Sequence, residues 1–202
     1  DNWLAAKALE KLDPSLARKI QQVMKRHDPP LPNRLQALFD PSIPVPPFKA
    51  VKFTGTSKKG EWSIRNEVDD GFELSDWHKY ADLVCTAAIN AAKGNQRDKA
   101  KRLVAKVAAM WDGKGVFDKA ALNLNRYATY KLGLLLWAAR EAKVKLPFAT
   151  EVERRIWQLQ AANGGITTDY DFNCNPVGTQ NGETTSFIVL ALTIDFLRVL
   201  GN

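Results

Sequence analysis

ATEVERRIWQLQAANGGITTDYDFNCNPVGTQNGETTSFIVLALTIDFLRVL, residues 149–200, is the stretch that decides the predicted fold. Its start is amphipathic, with Val152, Ile156 and Leu159 in helical register, whereas residues 185–200 are apolar almost throughout. An amphipathic helix covers a core on one side only, while a helix that is apolar all round must be covered all round. The stretch therefore predicts an outer helix, a long polar segment and then an inner helix.

The same alternation of amphipathic and apolar segments continues towards the N-terminus. Apolar segments cover residues 2–12, 79–93 and 126–142, and amphipathic segments cover 14–27 and 96–111. Short connections make neighbouring helices antiparallel, so the apolar helices are expected to run parallel to one another. An inner layer of parallel helices wrapped by an outer layer is a partial α/α toroid, and the sequence predicts this mainly α fold. A plain helical bundle and an α-solenoid are the alternatives.

One insertion, at about residues 29–75, interrupts the helical pattern. Its first part is rich in proline, which argues against helix. Between residues 51 and 64, apolar and polar residues then alternate around the turn sequence TGTSKKG, which predicts a β-hairpin with a Gly- and Lys-rich turn. The insertion has too few apolar residues for a core of its own, so residues 1–202 are predicted to form a single domain.

Composition argues against several classes of function. The 202 residues are 45% hydrophobic and 25% charged, which suits an ordinary packed core. The formal net charge of +7 favours acidic partners, but the basic residues sit mainly on the amphipathic segments, as solvated faces of helices. The sequence has no zinc-finger spacing, no RNP-like aromatic strand and no phosphate-binding glycine loop, so nucleic-acid binding is not expected.

Targeting and cofactor signals are also missing from the sequence. No apolar run is long enough to cross a bilayer, and the first residues show neither the basic segment nor the cleavage site of a signal peptide. The chain has 2 His and 2 Cys residues, and they do not have the spacing of metal ligands. We therefore predict neither a metal nor a cofactor.

Cys85 and Cys174 form either one disulfide or two separate thiols. Cys85 lies in the first turns of a predicted inner helix, and Cys174 lies in the long polar segment that leads into the same end of the fold. If the protein is secreted, we expect a disulfide between them, which would tether that segment.

The parallel direction of the apolar helices is expected to place their N-terminal ends on one rim. Two polar segments, residues 64–74 and 163–180, lead into this rim. The rim collects acids, amides and aromatic rings: Asp1, Asn2, Asp76, His78, Tyr80, Asp82, Asn123, Asn125, Tyr127, Tyr130, Asn181, Glu183 and Thr184. Many of these residues are equally explained as helix caps, or as acids that complement the dipole in a first helical turn.

A rim of rings, amides and carboxylates suits a sugar, because rings stack on its apolar faces and polar groups bond its hydroxyls. Cleaving a glycosidic bond takes two carboxyl groups roughly 5 to 9 Å apart. The candidate catalytic residues are Glu67, Asp70, Asp171 and Glu183, of which we favour Asp171 and Glu183. The candidate substrate-binding residues are Tyr80, Asn125, Tyr127, Tyr170 and Asn181. A lyase or epimerase would instead need a base, and His78 with Tyr80 is the compact pair of that kind.

The segment IWQLQAANGGITTDY…NGETTSFIVLAL resembles the signature of α/α-toroid proteins. In that signature a helix ending in Gln is followed by a Gly-Gly turn, a polar loop and an inner helix that opens on an acid and threonines. Six-hairpin glycosidases and terpene-cyclase-like toroids share this outline. With DNWLAAKAL, DWHKYADLVCTAAINAA and NRYATYKLGLLLWAA, the chain is also similar to uncharacterised secreted proteins of archaea.

The chain departs from these families in two respects. It has no DxDD or DDxxD run, which disfavours the terpene branch, and it is long enough for only part of a six-hairpin ring. No catalytic residue is carried over from the resemblance for these reasons. We expect an extracellular carbohydrate-active protein, a glycoside hydrolase or lyase, that acts in a cleft at the N-terminal rim. The alternative is a non-catalytic module that binds a glycan or a protein partner in a cell-surface assembly, with self-assembly at the open edge of the helical arc.

Overall fold

A computed structural model describes residues 2–27, 33–59 and 62–200; the side chains of residues 27, 33, 59, 62–70 and 194–200 lie outside the description. The helices are α1 Asn2–Leu9, α2 Pro14–His27, α3 Asn33–Gln36, α4 Ala81–Lys93, α5 Arg97–Ala108, α6 Lys119–Leu124, α7 Tyr130–Glu141, α8 Ala149–Gln158 and α9 Gly182–Leu200, with a 3₁₀ turn at Trp77–Lys79. The strands are β1 Lys49–Lys59, β2 Trp62–Glu73, β3 Tyr127–Ala128, β4 Thr167–Tyr170 and β5 Pro176–Gln180. The prediction of a mainly α chain is confirmed.

The apolar helices α1, α4, α7 and α9 contribute to one hydrophobic core. Helix α7 contacts both α4 and α9, and α1 contacts α9. Val84 and Leu134 are buried in the same cluster, and Leu190 packs against it. The amphipathic helices α2, α5 and α8 each contact the apolar helix next to them in the chain, α1, α4 and α7. The hydrophobic pattern of the sequence therefore distinguished the helices buried in the middle from those that cover them.

Helices α7 and α9 run in the same direction. The ring of Tyr130 at the start of α7 lies 5.8 Å from that of Phe187, near the start of α9. Arg140, near the end of α7, donates hydrogen bonds to the carbonyls of Leu190 and Ala191, further along α9. Gly133 allows this close approach, because a Cβ there would lie 2.8 Å from the side chain of Ile188 and 3.1 Å from the Phe187 carbonyl oxygen.

Helix α4 runs parallel to α7. At their starts, Asp82 of α4 and Tyr130 of α7 line the same small cavity, and the charge of Asp82 acts on the Tyr130 phenol. At their ends, the ammonium of Lys93 lies 5.3 Å from the ring centre of Trp137. The first turns of α4, α7 and α9 therefore meet at one end of the fold, and we call this end the N-terminal rim.

The first turn of α1 lies at the other end of the fold. Trp3 packs edge-on against Phe39, with ring centres 5.0 Å apart, and Phe39 in turn lies 5.4 Å from Trp137, in the second half of α7. This aromatic packing places Asn2 away from the N-terminal rim, so its predicted position there is wrong. Asp1 lies outside the described residues.

The proline-rich insertion is anchored on α4. Its Val45 and Phe48 bury against Leu83 and Ala87 in a second, smaller hydrophobic cluster. The predicted β-hairpin forms, since β1 and β2 pair antiparallel, but its predicted turn is wrong, because residues 54–59 belong to strand β1. Glu67 and Asp70 lie on β2, and their side chains are outside the described residues.

The segment before α9 is more ordered than its sequence indicates. We predicted an irregular segment, but β4 and β5 form a hairpin there, and β4 also pairs with β3. Tyr127 lies opposite Tyr170 in this three-stranded sheet. The sheet links the segment before α7 to the segment before α9, so both lead into the N-terminal rim. In the part of the chain that is described, no helix combines the length and the apolar character needed to cross a membrane.

Candidate functional site

A small cavity opens at the N-terminal rim, where four helical segments meet. Its volume is about 60 Å³, which leaves room for a few water-sized groups. Polar groups reach it from every side: α3 contributes Arg34, α4 contributes Asp82 and Thr86, α7 contributes Tyr130, and α9 contributes Glu183. Apolar side chains complete its lining: Leu35, Leu38, Leu83, Leu134 and Phe187.

The start of α9 is set by Asn181, which places Glu183 in the first helical turn. The Oδ1 atom of Asn181 accepts a hydrogen bond of 2.8 Å from the backbone N–H of Thr184, and the hydroxyl of Thr185 donates to the Asn181 carbonyl. This is an N-cap. Asn181 was predicted to bind substrate, and the structure engages its side-chain oxygen in capping the helix that carries Glu183.

The starts of α4 and α7 are held together by Asp118, which sequence reasoning missed. One oxygen of Asp118 accepts from the backbone N–H of Ala81 at 2.8 Å and from the Nζ of Lys131 at 2.6 Å. Its other oxygen accepts from the N–H of Ala121 at 3.0 Å and caps α6. The Lys131 side chain is 3% exposed and that of Asp118 is 0% exposed, so this is a buried ion pair. It fixes the two helical turns that carry Asp82 and Tyr130.

Tyr130 links the charged groups of the cavity. Burial raises the pKa of its phenol well above the ordinary value, the negative charges of Asp82 and Glu183 raise it further, and the positive charge of Arg34 opposes them. The phenol therefore keeps its proton at neutral pH. Two carboxylates, one guanidinium and one neutral phenol thus act on one another at the rim.

An aromatic cluster supports the rim beside the cavity. Tyr127 and Tyr170 stack with their ring centres 5.0 Å apart, and Phe172 packs edge-on against Tyr127. Phe117 completes the cluster and is 39% exposed. It adjoins Asp118, which places the cluster next to the starts of α4 and α7.

Tyr127 and Tyr170, both predicted to bind substrate, are structural members of that cluster. They are 3% and 0% exposed. The Tyr127 hydroxyl donates to the Asp112 carboxylate, and the Tyr170 hydroxyl donates to the Lys114 carbonyl. Burial is the main cause that raises the pKa of both phenols. Both hydroxyls therefore donate hydrogen bonds within the protein.

Asp171, the first choice for a catalytic acid, holds its own loop in shape. Its carboxylate accepts from the backbone N–H groups of Asn173 and Asn175, each at 2.8 Å, and from the Asn175 amide at 3.1 Å. These hydrogen bonds, the one from the Asn175 backbone first, lower the pKa of Asp171. Asp171 does not line the rim cavity. These hydrogen bonds give Asp171 a structural role in its own loop.

Two further predicted binding residues also lie outside the cavity lining. Tyr80 immediately precedes α4, and its ring lies 5.4 Å from the Lys119 ammonium. Asn125 ends α6 in a left-handed conformation, with φ of 56°, and its side chain is exposed. Of the predicted site residues whose side chains are described, Glu183 is the one that lines the cavity.

The predicted disulfide is not formed, since Cys85 and Cys174 are both free thiols. Cys85 is 0% exposed inside the core, where burial raises the pKa of its thiol strongly. Cys174 is half-buried in the turn that Asp171 organises, in a left-handed conformation with φ of 71°. One thiol faces the helical core and the other belongs to a surface turn, which explains why they do not pair.

The described residues contain no group of three or more His, Cys, Asp or Glu side chains that could hold a metal ion. No protein-family model, no curated protein and no solved structure matched this chain. The resemblance to α/α-toroid proteins therefore stays a prediction, and the residues of the rim cavity are the basis for inferring a function.

Proposed function

We propose that this chain is a partial α/α toroid that binds and cleaves a glycan at its N-terminal rim, with Asp82 and Glu183 as the two carboxyl groups. The observation that supports the proposal is that both carboxylates line one cavity, together with a phenol and a guanidinium. Asp82 replaces the residues of the two polar segments, Glu67, Asp70 and Asp171, as the partner of Glu183. The proposal includes an extracellular or cell-surface location, because polymeric glycans occur there.

The chemistry requires one carboxyl group on each side of the bond to be cleaved. One gives its proton to the leaving oxygen, and the other attacks the sugar carbon or activates a water molecule. Asp82 lines the cavity beside the phenol of Tyr130, whose pKa its negative charge raises. Glu183 lies in the first turn of α9, where the unpaired backbone N–H groups and the positive end of the helix dipole stabilise negative charge.

The size of the cavity limits which part of a glycan enters it. A volume of about 60 Å³ holds a few water-sized groups. A sugar hydroxyl or hydroxymethyl group fits this space, while the sugar ring itself would lie at the mouth. The exposed face of Phe117 belongs to the neighbouring aromatic cluster and offers an apolar surface on which such a ring can stack.

One observation favours the alternative of a non-catalytic binding module. The apolar side chains of Leu134 and Phe187 form part of the cavity wall, and the cavity is small. A module of this kind would use the same polar groups to bond sugar hydroxyls and would release no product. A protein partner, or a second copy of the chain at the open edge of the helical arc, belongs to the same alternative.

A glycan array followed by reducing-sugar assays on the hits tests the proposal. Asp82→Asn and Glu183→Gln remove one carboxylate each, and Asp98→Asn on the exposed side of α5 is the matched control. We expect both rim variants to abolish sugar release while the control keeps full activity. Glycan binding without sugar release in the unaltered protein would establish the binding module instead, and a protein that binds no glycan at all would contradict both forms of the proposal.

A further inference from the structure

Arg34 is an exposed cation at the mouth of the rim cavity. It lies on α3, in the proline-rich insertion, while the carboxylates come from α4 and α9. Among the side chains that the structure describes, no carboxylate forms an ion pair with it. Its positive charge acts on Tyr130, since it opposes the rise in the pKa of that phenol. The guanidinium is thus close to the site and still has donors to offer.

The balance of charge around the cavity leaves Arg34 free to meet an anion. Asp82 and Glu183 bring about −2, and the N-terminal ends of α4, α7 and α9 bring about +0.5 each. These contributions sum to about −0.5, so the charge of Arg34 brings the total at the rim to about +0.5 and places the positive charge at the mouth. Asp82 and Glu183 are half-buried whereas Arg34 is exposed, so a ligand entering from solvent meets the guanidinium first.

We infer that the glycan bound at this rim is acidic, and that Arg34 binds the carboxylate of a uronic acid residue in it. This inference rests on the proposed function, because it names the substrate class of the same site. The planar fork of N–H donors in a guanidinium matches the two oxygens of a carboxylate, which lysine cannot match in the same way. The net charge of +7 favours the approach of such a polyanion as well.

The inference assigns separate tasks to the two ends of the site. Arg34 holds the carboxylate of one sugar at the mouth, and the linkage to be cleaved lies further in, between Asp82 and Glu183. Tyr130 lines the cavity with both carboxylates and stays neutral, because burial and their negative charges raise its pKa. Arg34 is therefore a specificity residue, and its loss should change which glycan is bound rather than remove the carboxyl pair.

The test compares a uronic acid oligosaccharide with the same oligosaccharide after its carboxyl groups are reduced to hydroxymethyl groups, and with a sulfated neutral oligosaccharide. Binding is measured by calorimetry at fixed salt. We expect the unaltered protein to prefer the uronate, and Arg34→Gln to weaken uronate binding about tenfold to a hundredfold, the range of a hydrogen bond to a charged group. Arg34→Lys should recover only part of this loss, and Arg97→Gln, an exposed arginine at the start of α5, is the matched control.

Several outcomes would overturn the inference. Equal affinity of the unaltered protein for the uronate and its reduced form would show that the charge is not recognised, and preference for the sulfated oligosaccharide would show that the carboxylate is the wrong anion. An Arg34→Gln protein that keeps its uronate affinity would exclude Arg34 as the contact. In each of these cases a bound glycan still supports the proposed function, whereas failure to bind any of the three ligands contradicts the proposed function itself.

Discussion

Removing one partner of the buried Asp118–Lys131 pair should destabilise the protein more than any single change at its surface. Lys131→Met keeps most of the side-chain volume and removes the ammonium. The Asp118 carboxylate, 0% exposed, is then left with the backbone N–H groups of Ala81 and Ala121. Breaking a buried ion pair in this way costs about 3–5 kcal/mol. The same loss is expected for Asp118→Asn, which leaves the ammonium of Lys131 buried without its counter-charge.

An exposed ion pair of similar length gives the matched control. Lys119 and Asp76 lie 2.7 Å apart, compared with 2.6 Å in the buried pair, but their side chains are 39% and 27% exposed. Asp76→Asn should therefore cost less than about 1 kcal/mol. Urea unfolding followed by tryptophan fluorescence and circular dichroism measures both values, since a change in midpoint at constant slope reports stability.

The double variant Asp118→Asn with Lys131→Met isolates the interaction of the two charges. Because neither charge remains buried alone, its loss of stability should be clearly smaller than the sum of the two single losses. A Lys131→Met protein that loses less than about 1 kcal/mol would refute the burial of this pair, and with it the idea that Asp118 fixes the starts of α4 and α7.

Three further predictions follow from the packing around the rim. Asp171→Ala should loosen its turn, seen as faster amide hydrogen exchange there, and leave glycan binding unchanged; slower sugar release would restore Asp171 as a catalytic candidate. Hydrogen bonds lower the pKa of Asp171 in the fold. Its contribution to stability is therefore present above the pKa of an unfolded Asp and is lost as the pH falls through the lower pKa of the folded state. The Ala variant should lack this loss of stability on acidification. A thiol reagent should react with Cys174 in the native protein and with Cys85 only after unfolding, with both thiols free in the unreduced protein; no reactive thiol after unfolding would show a disulfide and contradict this. Gly133→Ala should destabilise by about 1–3 kcal/mol, because its Cβ would press on the backbone at Phe187, and an unchanged urea midpoint would show that α7 and α9 are further apart than described.

The hydrophobic pattern predicted the helices because it reports burial directly. Val152 and Ile156 are buried on one side of α8 while Trp157 is exposed, and α4 and α7 are buried along most of their length. The hairpin of β1 and β2 was predictable for the same local reason, since its alternating residues lie close together in the chain, although residues 54–59 of the expected turn belong to β1. These features need no knowledge of distant partners.

Which residues line the cavity depends on contacts between distant parts of the chain, and no local sequence pattern predicts such contacts. Strand β4 was missed because it pairs with Tyr127 and Ala128, far away in the sequence. Asp171 and Asp82 both look like acids at the edge of a loop or helix, and only the packing of α7 against α4 and α9 shows which one reaches the cavity. Lys131 did leave a signal, because a charged residue inside an apolar helix needs a buried partner.

The position of a bound glycan is the most direct test of the proposed site. A crystal structure of the Asp82→Asn, Glu183→Gln double variant, soaked with the best oligosaccharide found on the array, would keep the ligand uncleaved. We expect the ligand to lie at the N-terminal rim, with atoms within hydrogen-bond distance of positions 82 and 183 and of Tyr130. A ligand bound at the opposite end of the fold, near Trp3 and Phe39, or on the turn organised by Asp171, would contradict the assignment of the rim cavity as the functional site.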